Sequence, residues 1–174
     1  MSITRADVGA WVVKGNPKWW GYYEKRAAQR KGPGDRVIDT DWSLGGTSRN
    51  ELIQPGDLIA LYMGNPAGEL VEIGIANGLR GETKWDPDYV KNLAEGEKRR
   101  EFLGYDGVIL STPIPREGLK ANPAIGKSEF IRAPKMSNPT YLTPEATVAL
   151  AAMISPNDLR RAKWVSHPVI TRGR

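Results

Sequence analysis

The sequence predicts an α+β fold in which a small, mostly antiparallel β-barrel or curved sheet is flanked by helices. Thirteen prolines and nineteen glycines among 174 residues indicate many short elements joined by turns, which argues against a helical bundle. Short apolar runs typical of strands alternate with signals typical of helix starts, so strands and helices are intermixed along the chain. At this length a single domain can bury a sufficient core without disulfides.

Five short runs have the composition of β-strands. Two of them, "DLIALYM" and "ELVEIGIANGL", are separated only by the turn-rich "GNPAG", which predicts a hairpin. Four Asn-Pro pairs indicate further turns, because the residue before a proline is driven out of the helical region. The predicted strands cover residues 9–14, 57–63, 69–79, 106–112 and 128–132.

Helix starts are marked three times by a capping residue followed by proline, which is favoured at the first helical position. These pairs are Asn16-Pro17, Thr143-Pro144 and Ser155-Pro156, and they predict helices over 17–30, 144–154 and 156–164. The charged stretch 88–102 predicts one interrupted helix or two short ones.

Positive charge is concentrated at the two ends of the chain. Residues 1–31 carry seven lysines and arginines against two acidic residues, and residues 155–174 carry five against one, while the whole chain has a net charge of +5. This asymmetry fits a basic face that meets a polyanion, and a solvated surface with a basic tail explains it equally well.

Composition also bounds the cellular context. The chain has no cysteine, which excludes disulfides and zinc sites built from thiolates. No apolar run approaches the roughly 18 residues that span a bilayer, and no signal-peptide pattern is present. We therefore expect a soluble, cytoplasmic protein with no membrane partner.

The sequence lacks the residue spacing that most catalytic motifs require. The tripeptide Gly126-Lys127-Ser128 resembles the end of a phosphate-binding loop, but that motif requires glycine at position 121, which is alanine. The single histidine, His167, lies beside a proline in the basic tail, where a catalytic relay or a histidine metal site is not expected.

Three aspartates lie close together at residues 35, 39 and 41. They have the ligand type that Mg²⁺ prefers, but the turn-forming Gly-Pro-Gly before them favours turn and strand-end roles. No cofactor and no metal are expected, and nothing in the sequence indicates an activated nucleophile.

Aromatic rings and cations are clustered where the first strand ends. Trp19 and Trp20 follow that strand, and Trp42 lies in "DTDWSLGGTSRNEL", a segment predicted to be a loop. A large ring on a polar loop indicates a contact surface, although the same ring can fold back over the core. Stacking of a base on an aromatic ring contributes about 1–3 kcal/mol, and lysine and arginine hold phosphates. The cluster therefore favours nucleic-acid binding.

Five segments in order resemble an EVE domain of the PUA-like superfamily, which is related to the YTH and ASCH domains. They are "WVVKGNP", "DTDWSLGGTSRNEL", "IQPGDLIALYMGN", "GELVEIGIANG" and "MSNPTYLTPEATVALAAMI". The resemblance covers most of residues 9–154, which divides the chain into an EVE domain over 1–154 and a basic C-terminal extension over 155–174. One departure is an insertion after Trp42, which displaces the Arg49-Asn50 pair from the family's usual spacing.

The resemblance implies a β-barrel whose pocket takes one flipped, modified base, such as methylated or hydroxymethylated cytosine, from DNA or RNA into an aromatic cage. It implies no catalysis, and a separate nuclease would perform any restriction. The implied pocket residues are Lys14, Asn16, Pro17, Trp19, Trp20, Trp42, Ser43, Leu44, Tyr62 and Met63. The expected contacts to the nucleic-acid backbone are Lys18, Lys25, Arg26, Arg49, Arg160 and Arg161.

The sequence is also compatible with two other functions. One is an RNA-binding module of PUA or ASCH type that needs no modification. The other is a small hydrolase of modified nucleosides, which would require Lys14 beside a carboxylate such as Glu72 or Asp57. The C-terminal segment "RRAKWVSHPVITRGR" is expected to lie along the backbone beside the pocket, to be a disordered tail, or to contact a second subunit.

Overall fold

The structure is a computed structural model that describes residues 2–133 and 138–173. Six strands form one sheet in the order β2-β5-β4-β3-β1-β6. The strands are β1 (Ala10–Gly15), β2 (Arg36–Ser43), β3 (Leu58–Met63), β4 (Glu69–Thr83), β5 (Arg100–Pro115) and β6 (Thr140–Leu142). The pair β1–β3 is parallel and all other pairs are antiparallel. The predicted α+β class with a mostly antiparallel curved sheet is confirmed.

Within the described residues the sheet is not a closed barrel, since β2 and β6 lie at its two edges. Irregular register interrupts three of its strand pairs, and such bulges bend and twist a sheet. The sheet therefore curves without joining its edge strands through a backbone ladder.

Seven helices surround the sheet in the described part of the chain. They are α1 (Tyr22–Ala28), α2 (Leu93–Gly96), α3 (Arg116–Ala121), α4 (Glu129–Arg132), α5 (Pro144–Ala151), α6 (Pro156–Arg161) and α7 (Pro168–Arg172). None is long and apolar enough to cross a bilayer.

The sheet separates two apolar cores. Alternate residues of β1 illustrate this: Ala10 and Val12 pack with α3 to α7, whereas Trp11 and Val13 pack with α1. The central strand β3 is buried along its whole length because both of its faces are covered. This explains why its sequence, "LIALYM", is a continuous apolar run rather than an alternating one.

Residues 155–173 belong to the first of these cores, so the alternative of a disordered tail is wrong for them. Trp164 is fully buried and its Nε1 donates to the Gly74 carbonyl at 2.8 Å. Leu159 and Ile170 are also buried in this core. The segment packs as part of the domain through its aromatic and aliphatic side chains.

Several predicted elements have different limits in the structure. The strand predicted at 128–132 is wrong: this segment is the helix α4, closed by a bond from Arg132 N to Ser128 O. The helix predicted over 17–30 begins only at Tyr22, because the backbone carbonyl of Asn16 accepts from Trp19 N and Trp20 N in a turn. In the stretch 88–102 one short turn and α2 precede β5.

Candidate functional site

A cavity of about 980 Å³ opens where the C-terminal ends of β1, β2 and β3 meet. Because β1 and β3 are parallel, Lys14 and Tyr62 lie side by side at this end. The volume is at the upper end of the roughly 300–1,000 Å³ of small-molecule sites. The cavity is therefore large enough for a base together with part of the nucleic-acid backbone that carries it.

The lining combines rings with positive charge. Five of its side chains are aromatic: Trp19, Trp20, Trp42, Tyr62 and Trp85. Four are cationic, Lys14, Lys18, Arg100 and Arg116, and one is a carboxylate, Glu117. Arg100 is paired with the Glu95 carboxylate. The remaining positive charge attracts an anion, and the rings offer apolar faces to a flat ring.

Asn138 ties the two sides of the cavity together. Its Oδ1 accepts from Lys14 N at 3.0 Å, and its Nδ2 donates to the carbonyls of Lys14 and Ser43, each at 3.1 Å. Its own carbonyl accepts from Gly45 N at 2.5 Å. A Cβ on Gly45 would lie only 2.8 Å from that carbonyl, so a larger residue would displace Asn138. Asn138 thus connects the ends of β1 and β2, which the sheet ladder leaves separate.

Replacing Asn138 with Ala should lower the free energy of unfolding by about 1–3 kcal/mol, because three side-chain hydrogen bonds are lost at a half-buried position. Urea unfolding measures this change. The exposed Asn157, on α6, is the matched control, and its replacement by Ala should change stability by less than about 0.5 kcal/mol. Equal effects of the two substitutions would contradict the connecting role of Asn138.

Of the two indoles that could stand opposite Trp42 in an aromatic cage, Trp19 and Trp20, the second does not form an open slot with it. Trp20 and Trp42 are in edge-to-face contact, with ring centroids 5.7 Å apart and planes at 74°. Trp42 is also 4 % exposed and lies at the end of β2, so its prediction as a loop residue is wrong. Trp19 is 40 % exposed and is the ring most available for stacking.

A buried ionic cluster lies under this aromatic wall. Arg26 contacts both Asp39 and Glu72: its Nη2 bonds to Asp39, and its Nε donates to Glu72 Oε1 at 2.7 Å. Tyr22 Oη donates to the same Glu72 oxygen at 2.7 Å, and Trp42 Nε1 donates to Asp39 at 3.2 Å. Burial raises the pKa of Glu72, while the Arg26 charge lowers it. The cluster holds the Trp42 indole in place from behind.

This cluster changes the interpretation of two predicted backbone contacts. Lys25 is 7 % exposed and Arg26 is 5 % exposed, and both form ion pairs with Asp39. Their positions therefore do not allow them to reach a phosphate at the surface. The cations of α1 stabilise the interior because the helix turns this face toward the sheet.

The other predicted backbone contacts are distributed over the molecule. Lys18 is exposed and lines the cavity. Arg49 is engaged with Glu129, with Nη2 to Oε1 at 2.9 Å, and its guanidinium lies 5.6 Å from the Tyr141 ring centroid. Arg160 and Arg161 are exposed on α6 and do not line the cavity.

Eight of the ten predicted pocket residues line the cavity; Pro17 and Met63 do not. Met63 is fully buried beneath Gly15, where a Cβ would meet its sulfur at 2.8 Å. The alternation of β3 places Tyr62 at the cavity and Met63 on the opposite face. Pro17 is half-buried in the turn that precedes α1.

Sequence reasoning missed the wall formed by Trp85 and Arg100. Trp85 Nε1 donates to Ser43 Oγ at 3.0 Å, and the Arg100 guanidinium lies 4.3 Å from the Trp85 ring centroid. Arg100 is oriented by a bond from its Nη1 to Glu95 O at 2.6 Å. Trp85 lies in the polar stretch "GETKWDPD", so the reasoning applied to Trp42 would have found it.

The positions of the carboxylates argue against the predicted hydrolase pairs. Glu72 is fully buried in the ionic cluster and does not line the cavity. Asp57 is also absent from the lining and accepts from Arg5 Nη2 at 2.8 Å and from Trp11 Nε1 at 2.9 Å. Neither carboxylate can act with Lys14 on a ligand in the cavity. Burial lowers the pKa of Lys14, while the Glu129 charge raises it.

Two of the three aspartates considered for magnesium, Asp35 and Asp39, have other roles. Asp39 belongs to the ionic cluster, and Asp35 accepts from Gly32 N at 2.8 Å in the turn before β2. The side chain of Asp41 lies outside the described residues. No group of three or more candidate metal ligands is found among the residues that the structure describes.

No protein-family model matches the sequence, and no curated protein matches it. Solved structures do resemble the fold. A crystal structure of a protein from Agrobacterium tumefaciens has a TM-score of 0.53 at 20% identity, covering 83% of this chain and 91% of its own. One from Pseudomonas syringae has a TM-score of 0.51 at 16% identity, covering 83% of this chain and 98% of its own. At these identities the likeness concerns the fold alone.

Proposed function

We propose that the protein is a non-enzymatic nucleic-acid-binding module whose cavity holds one extruded, modified base. The observation that carries this proposal is the lining itself, in which five aromatic side chains and four cations surround a volume of about 980 Å³ with a single carboxylate. The resemblance to EVE domains adds to it, and membership of that family is part of the proposal. The module would act in the cytoplasm, with a separate nuclease where DNA is restricted.

Stacking in the cavity would depend on Trp19. Its ring is 40 % exposed, while Trp20 and Trp42 are buried and pack edge-to-face against each other. A base that enters can lie against Trp19 and place its polar edge toward the strand ends, where Lys14 and Asn16 line the wall. Lysine donates to ring nitrogens and carbonyl oxygens of bases, so Lys14 is suited to bind the edge of a base that carries these acceptors.

The expected selectivity for a modification is modest. One extra methyl group in an apolar site contributes about 0.8 kcal/mol, and a fitted pocket discriminates by about 1–3 kcal/mol. A hydroxymethyl group that makes its own hydrogen bond is read more sharply, because the partner group would otherwise stay unpaired. Preference for a modified strand should therefore be tens of fold rather than absolute.

Replacing Trp19 with Ala should weaken binding to a modified oligonucleotide by about 1–3 kcal/mol, because one stacking face is lost. Fluorescence anisotropy of a labelled strand measures the change. Tyr23 is the matched control: it is also 40 % exposed but does not line the cavity, so Tyr23→Ala should leave affinity unchanged.

A competition series decides between the modified-base reader and a general RNA-binding module. Equal affinity for modified and plain strands of one sequence would exclude the reader. Stronger binding to RNA than to DNA of the same sequence would indicate contact with the 2′-hydroxyl and favour the RNA module.

A further inference from the structure

Six cations outside the cavity are exposed on two segments that are far apart in sequence. They are Arg30, Lys31 and Arg36 around the turn before β2, and Arg160, Arg161 and Lys163 in and after α6. We call these six residues the basic surface.

Strand β5 brings the two segments together. Gly34 N donates to Ile109 O at 2.8 Å, and the Asp158 carboxylate of α6 accepts from Ser111 N at 2.8 Å and from Ser111 Oγ at 2.9 Å. A Cβ built on Gly34 would lie 3.8 Å from Arg161 Nη1. The turn and α6 are therefore in contact at one edge of the sheet.

The charges of the basic surface are not neutralised within the protein. Across residues 2–133 and 138–173, none of its six side chains takes part in an ion pair. The two carboxylates on the same segments do not pair with these cations: Asp35 accepts from Gly32 N, and Asp158 is 1 % exposed, so six positive charges stand against two negative ones. This leaves a concentrated positive field open to solvent.

Two of these cations hold an unfavourable backbone conformation. Arg30 has φ 54° and Lys163 has φ 61°, in the left-handed region that favours glycine. Each lies just past a helix, and bonds from Lys31 N to Arg26 O and from Trp164 N to Leu159 O complete the same helix-ending motif. Glycine is the usual residue at this position, so a long cation at both positions indicates a use for the charge.

We infer that the basic surface binds the phosphodiester backbone of a nucleic acid, independently of sequence, as a site separate from the cavity. The choice of a nucleic acid as the polyanion depends on the proposed function. Arg36 begins β2 and Ser43, at the cavity, ends it, so the two sites are about 20 Å apart along the strand. This span corresponds to roughly six base pairs of duplex, and one duplex can contact both sites.

The double variant Arg30→Gly, Lys163→Gly tests this site because it removes two charges and relieves two strained positions. Each phosphate contact makes affinity fall by about 3.5-fold between about 50 and 200 mM salt. Over this salt range, the loss of affinity for a plain DNA duplex should therefore be about tenfold smaller for the variant than for the native protein. The slope of log affinity against log salt concentration should be smaller by about two. The midpoint of thermal unfolding should be unchanged or higher.

The control Lys120→Gln, Arg132→Gln removes the same charge from exposed positions elsewhere and should leave the salt slope near the native value. Equal slopes for native protein and Gly variant would overturn the proposal. So would a lower unfolding midpoint with unchanged binding, since the cations would then serve only to stabilise the helix ends. If the Gly variant lost binding to phosphatidylserine vesicles but bound the duplex as the native protein does, the basic surface would serve an anionic membrane, and the proposal would also be overturned.

The same measurements distinguish this site from the cavity. The ratio of affinities for modified and plain strands reports the cavity and should be unchanged in the Gly variant. A normal ratio with an unchanged salt slope would refute the basic surface alone. A ratio of one in the native protein, with a salt slope that depends on Arg30 and Lys163, would refute the base-reading function and support the basic surface.

Discussion

Replacing Arg26 with Ala should lower the free energy of unfolding by about 3–5 kcal/mol. Arg26 contacts two buried carboxylates, Asp39 and Glu72, which are 4 % and 0 % exposed. Without the guanidinium, two negative charges would remain in the interior with their main counter-ion removed, and breaking such a pair costs more than the pair contributes. Chemical denaturation at neutral pH measures the loss.

The stability of this variant should also depend on pH. Burial raises the folded-state pKa of Glu72 above its unfolded value, and the Arg26 charge opposes that shift in the native protein. A carboxyl group with a raised folded pKa stabilises the fold when protonated, and this contribution is lost as pH rises. The stability deficit of Arg26→Ala should therefore shrink as pH falls from neutral toward about 4.3, the pKa of an unfolded glutamate.

The exposed Arg36 provides the control, since Arg36→Ala should change stability by less than about 0.5 kcal/mol. A deficit for Arg26→Ala that is as small as that of Arg36→Ala would contradict the buried cluster. A deficit that grows on acidification would contradict the assignment to Glu72.

Replacing Trp42 with Ala should destabilise the protein by about 3–5 kcal/mol. The indole is 4 % exposed, packs edge-to-face on Trp20 and donates to Asp39 at 3.2 Å. Its removal leaves a void in the wall of the cavity and removes a donor from a buried carboxylate. Thermal and urea unfolding of the variant would measure the effect.

A tryptophan on a contact loop, as the sequence predicts for Trp42, could be replaced without loss of folding, whereas the buried Trp42 could not. Trp19→Ala is the matched comparison because Trp19 has the same side chain and lines the same cavity but is 40 % exposed. It should cost less than about 1 kcal/mol of stability. If the two variants unfolded at the same urea concentration, Trp42 would not be a buried residue of the cavity wall.

Local chemistry explains the parts of the fold that the sequence predicts well. Thr143 Oγ1 accepts from Ala146 N and Ser155 Oγ accepts from Asp158 N, so the expected caps form where the cap-and-proline pairs indicate. The hairpin of β3 and β4 also forms around "GNPAG". These signals are contained within a few neighbouring residues, and the physics that they report is equally local.

Strand β2 could not be predicted in this way. Its sequence, "RVIDTDWS", places a charged Asp39 on a buried face, which local propensity disfavours. The charge is tolerated because Arg26, thirteen positions earlier, bonds to it, and that partnership exists only after the chain has folded. The strand predicted at 128–132 was wrong because its apolar residues fit both structures. One turn of helix buries Phe130 and Ile131 as well as a strand would.

The difference between local signals and long-range contacts also separates the site residues that the sequence predicts from those that it does not. Rings and cations close to the end of β1 are visible as a cluster in the sequence, and Trp19, Lys18 and Lys14 do line the cavity. Sequence cannot show that Arg26 turns inward to Glu72, 46 positions away. It also cannot show that Asn138, 124 positions from Lys14, holds the two walls together.

The bonds made by Asn138 have a consequence for how tightly this cavity can hold a guest. They join Lys14 to Ser43 through bonds within the protein, so the frame of the cavity does not depend on a ligand. Little conformational entropy of the main chain is then lost on association, and more of the contact energy is expressed as affinity. A cavity preorganised in this way selects guests by shape, because its walls are not free to adapt to a poor fit.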